Sequence, residues 1–173
     1  DGTGDIVEFI RKGIIWEEWL DNFKEGLAAP GGKDKMLFDL TITGPGMFSI
    51  KDLFDLSLEL DVRIETKIMF AFHPDIIFSP FAWPKHILAR KIDELLEYIE
   101  PRATGKQATL VNTLREMRNR PSFEEDYPEQ FVQGKKNGKG FQDRLDEIRD
   151  EKITIADIYK ADDELYEWWI NND

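Results

Sequence analysis

The chain opens on an Asp1-Gly2 turn and passes at once into an amphipathic helix, with no strand in front of it. Trp16, Trp19, Leu20, Phe23 and Leu27 then recur every three or four residues, with Glu17, Glu18, Asp21, Asn22, Lys24 and Glu25 between them. That spacing predicts one helix with one buried stripe, because side chains three and four apart share a helix face. Pro30-Gly31-Gly32 ends it. Residues 36–43 (MLFDLTIT) are apolar at Leu37, Phe38, Leu40 and Ile42 and predict a strand, broken by Thr43-Gly44-Pro45-Gly46. Ser49 stands where an N-cap would, with Asp52 three residues on, and Ile50, Leu53, Phe54, Leu56 and Leu60 stripe the helix that follows. Residues 62–72 alternate with period two. Val62, Ile64, Thr66, Ile68, Phe70 and Phe72 share one strand face, and Arg63, Glu65, Lys67, Met69 and Ala71 share the other.

The order helix, strand, helix, strand predicts an α/β unit with parallel strands. A strand buried on both faces is apolar on both. Arg63, Glu65 and Lys67 therefore mark either an edge strand with a solvated face or a strand facing an open interior. Residues 73–84 are irregular, with Pro74, Pro80 and Pro84. Residues 85–100 form a helix striped by Ile87, Leu88, Ile92, Leu95, Leu96 and Ile99, and Pro101 stops it. The character then changes. A helix over 104–120 is followed by a polar turn at 121–127, a short segment at 128–133 and a flexible Gly-Lys loop at 134–140. A charged helix over 141–151 leads to the aromatic cluster Leu165, Tyr166, Trp168 and Trp169. The expected division is an α/β part over residues 1–100 and a mostly helical extension over 101–173, with no internal repeat.

Composition narrows the chemistry. In 173 residues, 41% hydrophobic and 12% aromatic content supplies a folded core. A net charge of -12 repels phosphate backbones and anionic lipid, so nucleic acid and membrane surfaces are not expected partners. Lys135, Lys136 and Lys139 are read as part of a solvated loop. The absence of cysteine excludes disulfides, thiolate metal sites, a cysteine nucleophile and a cluster held by this chain's own thiolates. Two histidines, His73 and His86, do not make a metal site alone. No apolar run reaches the roughly 20 residues of a membrane helix, and no signal peptide is visible. Cytoplasmic residence is the expectation.

Four stretches, in order, carry a resemblance. Asp1, Gly2, Glu8, Ile10, Arg11, Gly13 and Trp16 match S-x-D-G followed by E-x-I-R-x-G-x-x-W. Thr41, Thr43, Ile50, Asp52 and Leu53 match T-x-S-x-Y-N-x-x-x-L-x-E-L, with Gly46 where the asparagine stands. His73, Pro74, Ser79 and Pro84 match H-N-P-x-x-L-S-x-x-x-L-P, and residues 144–152 (RLDEIRDEK) resemble K-L-D-x-I-R-G-x-S. The set resembles the radical SAM enzymes, specifically the twitch-domain subgroup. The resemblance implies the C-terminal part of a partial (β/α) barrel with parallel strands, beginning just after the fourth strand. It implies a parent protein that binds a [4Fe–4S] cluster and S-adenosylmethionine and performs radical chemistry on an unknown substrate, a peptide or a small molecule. The cluster ligands, C-x-x-x-C-x-x-C, would lie in a missing N-terminal half of the same polypeptide, and this fragment alone would be inactive.

The resemblance assigns Asp1 and Gly2 to the cofactor, Arg11 to the methionine carboxylate, and Thr41 and Thr43 to the ribose or adenine. Arg63, Glu65, Lys67 and His73 are substrate-side candidates, the charged triplet lining the barrel interior with Glu65 bridging Arg63 and Lys67. Each has a plainer reading. Arg11 is also a surface residue placed to pair with Glu8 or Asp5, the threonines are also ordinary strand residues, and His73 is also a loop histidine. The alternative to an enzyme fragment is a stand-alone acidic α/β interaction module without catalysis. An independent hydrolase lacks a nucleophile–base constellation or a phosphate loop.

Overall fold

The computed structural model describes residues 1–70, 76–148 and 152–171. Helix α1 (Gly4–Ile10) and helix α2 (Trp16–Ala28) come first, then a single turn, α3 (Gly32–Lys35). Strand β1 (Phe38–Ile42) follows, then a tight 3-10 turn (Pro45–Ser49), helix α4 (Ile50–Glu59) and strand β2 (Ile64–Ile68). Two further 3-10 turns lead to α5 (Lys85–Ile99) and α6 (Ala108–Asn119). The rest is α7 (Phe123–Asp126), α8 (Pro128–Ile148), α9 (Ile155–Tyr159) and α10 (Asp163–Ile170).

The strands pair in parallel, Phe38 opposite Ile64, Leu40 opposite Thr66 and Ile42 opposite Ile68. Both are shorter than the hydrophobic pattern suggests, and the end of the expected second strand at Ala71–Phe72 lies outside the described residues. The expected α/β partial barrel is not what forms. The structure is 69% helical and the sheet has two strands among the described residues, so the protein is mostly helical. The reason lies at the outer side of β2. Thr66 Oγ1 shares a hydrogen bond of 2.6 Å with Thr113 Oγ1, and Thr109 Oγ1 donates to Glu65 Oε2 at 3.3 Å. Neighbouring strand residues point to opposite faces, yet both reach α6. The helix therefore runs along that edge, where a barrel would need its next strand.

The charged triplet follows from the same fact. With no barrel closing over them, Arg63 and Lys67 are exposed and Glu65 is half-buried. Arg63 pairs with Glu65 at 3.1 Å, while Lys67 reaches across the sheet to Asp39 at 2.7 Å. Glu65 does not bridge the two cations, and none of the three looks into an interior.

One apolar core runs through the whole fold and across residue 100. Phe38, Leu40 and Ile42 of β1 join Leu53 and Phe54 of α4, Leu88 and Leu95 of α5, and Leu110 and Leu114 of α6. Phe23 of α2 stacks on Phe38 at 4.7 Å, and Trp19 extends the stack at 5.2 Å from Phe23. Trp16 and Leu60, expected in the core, are only partly buried. Ser49 makes no side-chain cap; its hydroxyl donates instead to the Gly46 carbonyl at 3.1 Å, inside the 3-10 turn that leads into α4.

Residues 134–140, expected as a flexible loop, lie inside α8. Glycines weaken a helix by about 1 kcal/mol each relative to alanine, so the segment needs outside support. It has it: Lys135 Nζ lies 5.5 Å from the Phe131 ring and 5.7 Å from Trp168, and Lys139 Nζ lies 5.8 Å from Trp169. Gln133 to Asn137 and Lys139 to Asp143 add bonds one turn apart. The expected basic loop is thus a helix face packed on the C-terminal aromatic residues.

Candidate functional site

The chain's opening residues dock against the turn that follows β1. Gly2 has φ +153°, a conformation glycine adopts freely, and a Cβ there would lie 2.5 Å from Ser49 Oγ. Gly46 answers from the other side: a Cβ there would lie 2.5 Å from the Asp1 carbonyl oxygen and 2.7 Å from Thr43 Oγ1. Two glycines thus let two backbones meet. Thr43 Oγ1 accepts the Gly46 N–H at 3.0 Å and holds the turn.

This contact places Asp1 beside the end of β1. Its carboxylate is 7% exposed and forms a close ion pair with Arg11 Nε, whose side chain is 57% exposed. Arg11 does not pair with Glu8 or Asp5. Glu8 is committed elsewhere: Oε1 accepts the Trp16 N–H at 2.9 Å and Oε2 receives Lys152 Nζ at 2.8 Å. Those contacts hold the Glu8 carboxyl below its ordinary range, the Lys152 bond contributing most.

Two cavities meet at the Asp1–Arg11 pair. The first, of 190 Å³, is lined by Gly2, Ile14, Trp16, Trp19 and the 37–40 stretch of chain. The second, of 530 Å³, is walled by Phe9, Thr41, Thr43, Phe78, Phe141 and Gln142, among others. Asp1 and Arg11 line both. The five residues assigned to the cofactor are therefore brought together, within two adjoining spaces along β1. Thr41 is half-buried, whereas Thr43 is buried and bound into the turn. Arg63 and Glu65 stand apart on the solvated side, Lys67 bonds Asp39 at the wall of the first cavity, and His73 lies outside the described residues. His86 is exposed and bonds Glu164 at 2.7 Å, tying α5 to α10.

Several wall residues carried no functional reading from sequence: Phe9, Met69, Phe78 and Gln142. Phe9 and Phe78 stack at 6.1 Å. Among the described residues no group of three or more His, Cys, Asp or Glu comes together to hold a metal ion, and no helix is long and apolar enough to cross a membrane. Comparison with models of protein families, with curated proteins and with solved structures finds no match to the chain.

Proposed function

We propose that this chain supplies the S-adenosylmethionine side of a radical SAM enzyme whose cluster is held by cysteines of polypeptide outside this sequence. The observation that carries the reading is the convergence of Asp1, Gly2, Arg11, Thr41 and Thr43 on two adjoining cavities. They come from separate motifs, and their meeting in space is not implied by motif order. The chemistry suits an amino-acid head group. A carboxylate and a guanidinium side by side are complementary to a zwitterion. Arg11 spends Nε on Asp1, which leaves its terminal N–H groups to fork onto a ligand carboxylate. The buried Asp1 carboxylate accepts the ligand ammonium. Thr41 supplies a hydroxyl to the sugar or base in the larger cavity.

The fit stops there. A [4Fe–4S] cluster needs thiolates, and the chain has none. When bound, S-adenosylmethionine supplies the one-electron chemistry of such enzymes. This chain's part is to bind and orient it, and no step of cluster chemistry is assigned to these residues.

Titration calorimetry of the full chain with S-adenosylmethionine tests the proposal. Binding is expected, with Arg11→Gln weakening it by roughly 10- to 100-fold, the loss of one charge-assisted hydrogen-bonded contact. Arg11 is on the surface, so the variant keeps its fold, which circular dichroism checks. An unchanged affinity in the variant, or no binding at millimolar ligand, overturns the reading.

A further inference from the structure

The far wall of the 530 Å³ cavity is built by α8, and one of its residues is out of balance. Gln142 is 1% exposed and lines the cavity. Its Nε2 donates to Asp146 Oδ1, one turn further on. The amide presents its NH₂ group to a carboxylate oxygen of Asp146. That fixes Oε1 as the other end of the amide. Oε1 is buried and has no hydrogen-bond partner. Buried acceptors are nearly always satisfied, and this orphan belongs to a residue that lines the cavity.

The surroundings define what brings that donor. Phe9, Phe78, Phe141, Met69 and Leu145 make the neighbouring wall apolar. The charged groups lining the cavity are Asp1 and Arg11, which neutralise each other. A net charge of -12 on the chain disfavours anions further. The volume lies within the roughly 300–1,000 Å³ of small-molecule sites, enough for a bicyclic ring beside the Asp1–Arg11 end.

We propose that the α8 side of this cavity binds a neutral aromatic molecule carrying one N–H or O–H donor, of the indole or phenol class, with the donor on Gln142 Oε1 and the ring against the phenylalanines. Naming that molecule the enzyme's substrate rests on the radical SAM reading; the binding does not. Gln142 acts as a specificity-determining residue. The Asp146 bond holds its amide in one orientation, so a ring without a donor leaves Oε1 orphaned and a ring with a donor satisfies it. A site built to hydrogen-bond a group discriminates strongly against analogues that lack it.

The test uses indole and benzothiophene, which share a bicyclic shape and differ in the N–H. Calorimetry on the full chain is expected to give indole at least tenfold tighter binding, although benzothiophene is the more hydrophobic. Gln142→Met, of similar length, is expected to abolish the preference while keeping benzothiophene binding. Equal or tighter benzothiophene binding to the unaltered chain overturns the proposal, as does no indole binding at millimolar concentration. So does a folded Met variant that keeps the preference. If that variant fails to fold, the comparison on the unaltered chain decides alone. S-adenosylmethionine affinity is read in the same preparations. Loss of the indole preference with intact, Arg11-dependent cofactor binding sinks this inference only, and the converse sinks only the cofactor reading.

Discussion

Replacing Trp83 by alanine is expected to lower the free energy of unfolding by about 3–5 kcal/mol, the cost of emptying a large aromatic site in a packed core. Trp83 is 1% exposed, with Tyr159 edge-on at 5.6 Å and Phe48 at 5.8 Å. Its Nε1–H donates to Tyr159 Oη at 3.1 Å. Burial pushes the Tyr159 phenol far above its ordinary value, so the hydroxyl stays neutral and the bond persists at any working pH. Tyr159 in turn meets Trp169 edge-on at 5.6 Å. Trp83 therefore joins the segment before α5 to both C-terminal helices. A Cβ on Gly44 would lie 3.0 Å from both Nε1 and Oη, so the β1 turn closes over the same pair. Urea unfolding monitored by circular dichroism measures the loss. Trp168→Ala, at a half-buried site, is the control and should cost less. A Trp83→Ala loss below about 1 kcal/mol would contradict a core centred on this residue.

Gly46→Ala is the second large effect. The added methyl would meet the Asp1 carbonyl and Thr43 Oγ1 well inside van der Waals contact. Thr43 cannot retreat without releasing the Gly46 N–H it accepts. The expected outcome is displacement of Asp1 and Gly2 from the turn. Stability should fall by about 1–3 kcal/mol, typical of overpacking, and binding that depends on the Asp1–Arg11 pair should be lost. Asparagine, the residue at this position of the motif that the chain resembles, should do worse than alanine. Unfolding curves and calorimetry together check this. Stability and binding equal to the parent would show that the two backbones are not interlocked.

The parallel strands were legible because their patterns differ in kind from the helices around them: nearly continuous apolarity in β1, period two in β2. The α5 and α6 stripes were legible because the same residues that repeat at helical spacing are the ones buried. The barrel was not legible as absent. The helix that lies against β2 touches it through Thr109 and Thr113, whose hydroxyls carry no signal of long-range contact in the sequence. Residues 134–140 misled because glycine and lysine signal a loop locally, while the aromatic rings that support them are distant in sequence. At the site, Asp1, Gly2, Arg11, Thr41 and Thr43 were reached through motif resemblance. Gln142 was invisible because a glutamine in a charged helix looks solvated. Its faint signal is spacing alone, one position after Phe141 and four before Asp146.

The central claim, that residues from both ends of the β1 unit form one ligand site, is tested most directly by amide shift mapping of the ¹⁵N-labelled chain titrated with S-adenosylmethionine. The account predicts saturable shifts confined to Gly2, Arg11, Thr41, Thr43 and Gly46. Arg63, just before β2, and the α5–α10 contact at His86 should stay still. Shifts centred elsewhere, or none at millimolar ligand, would contradict it.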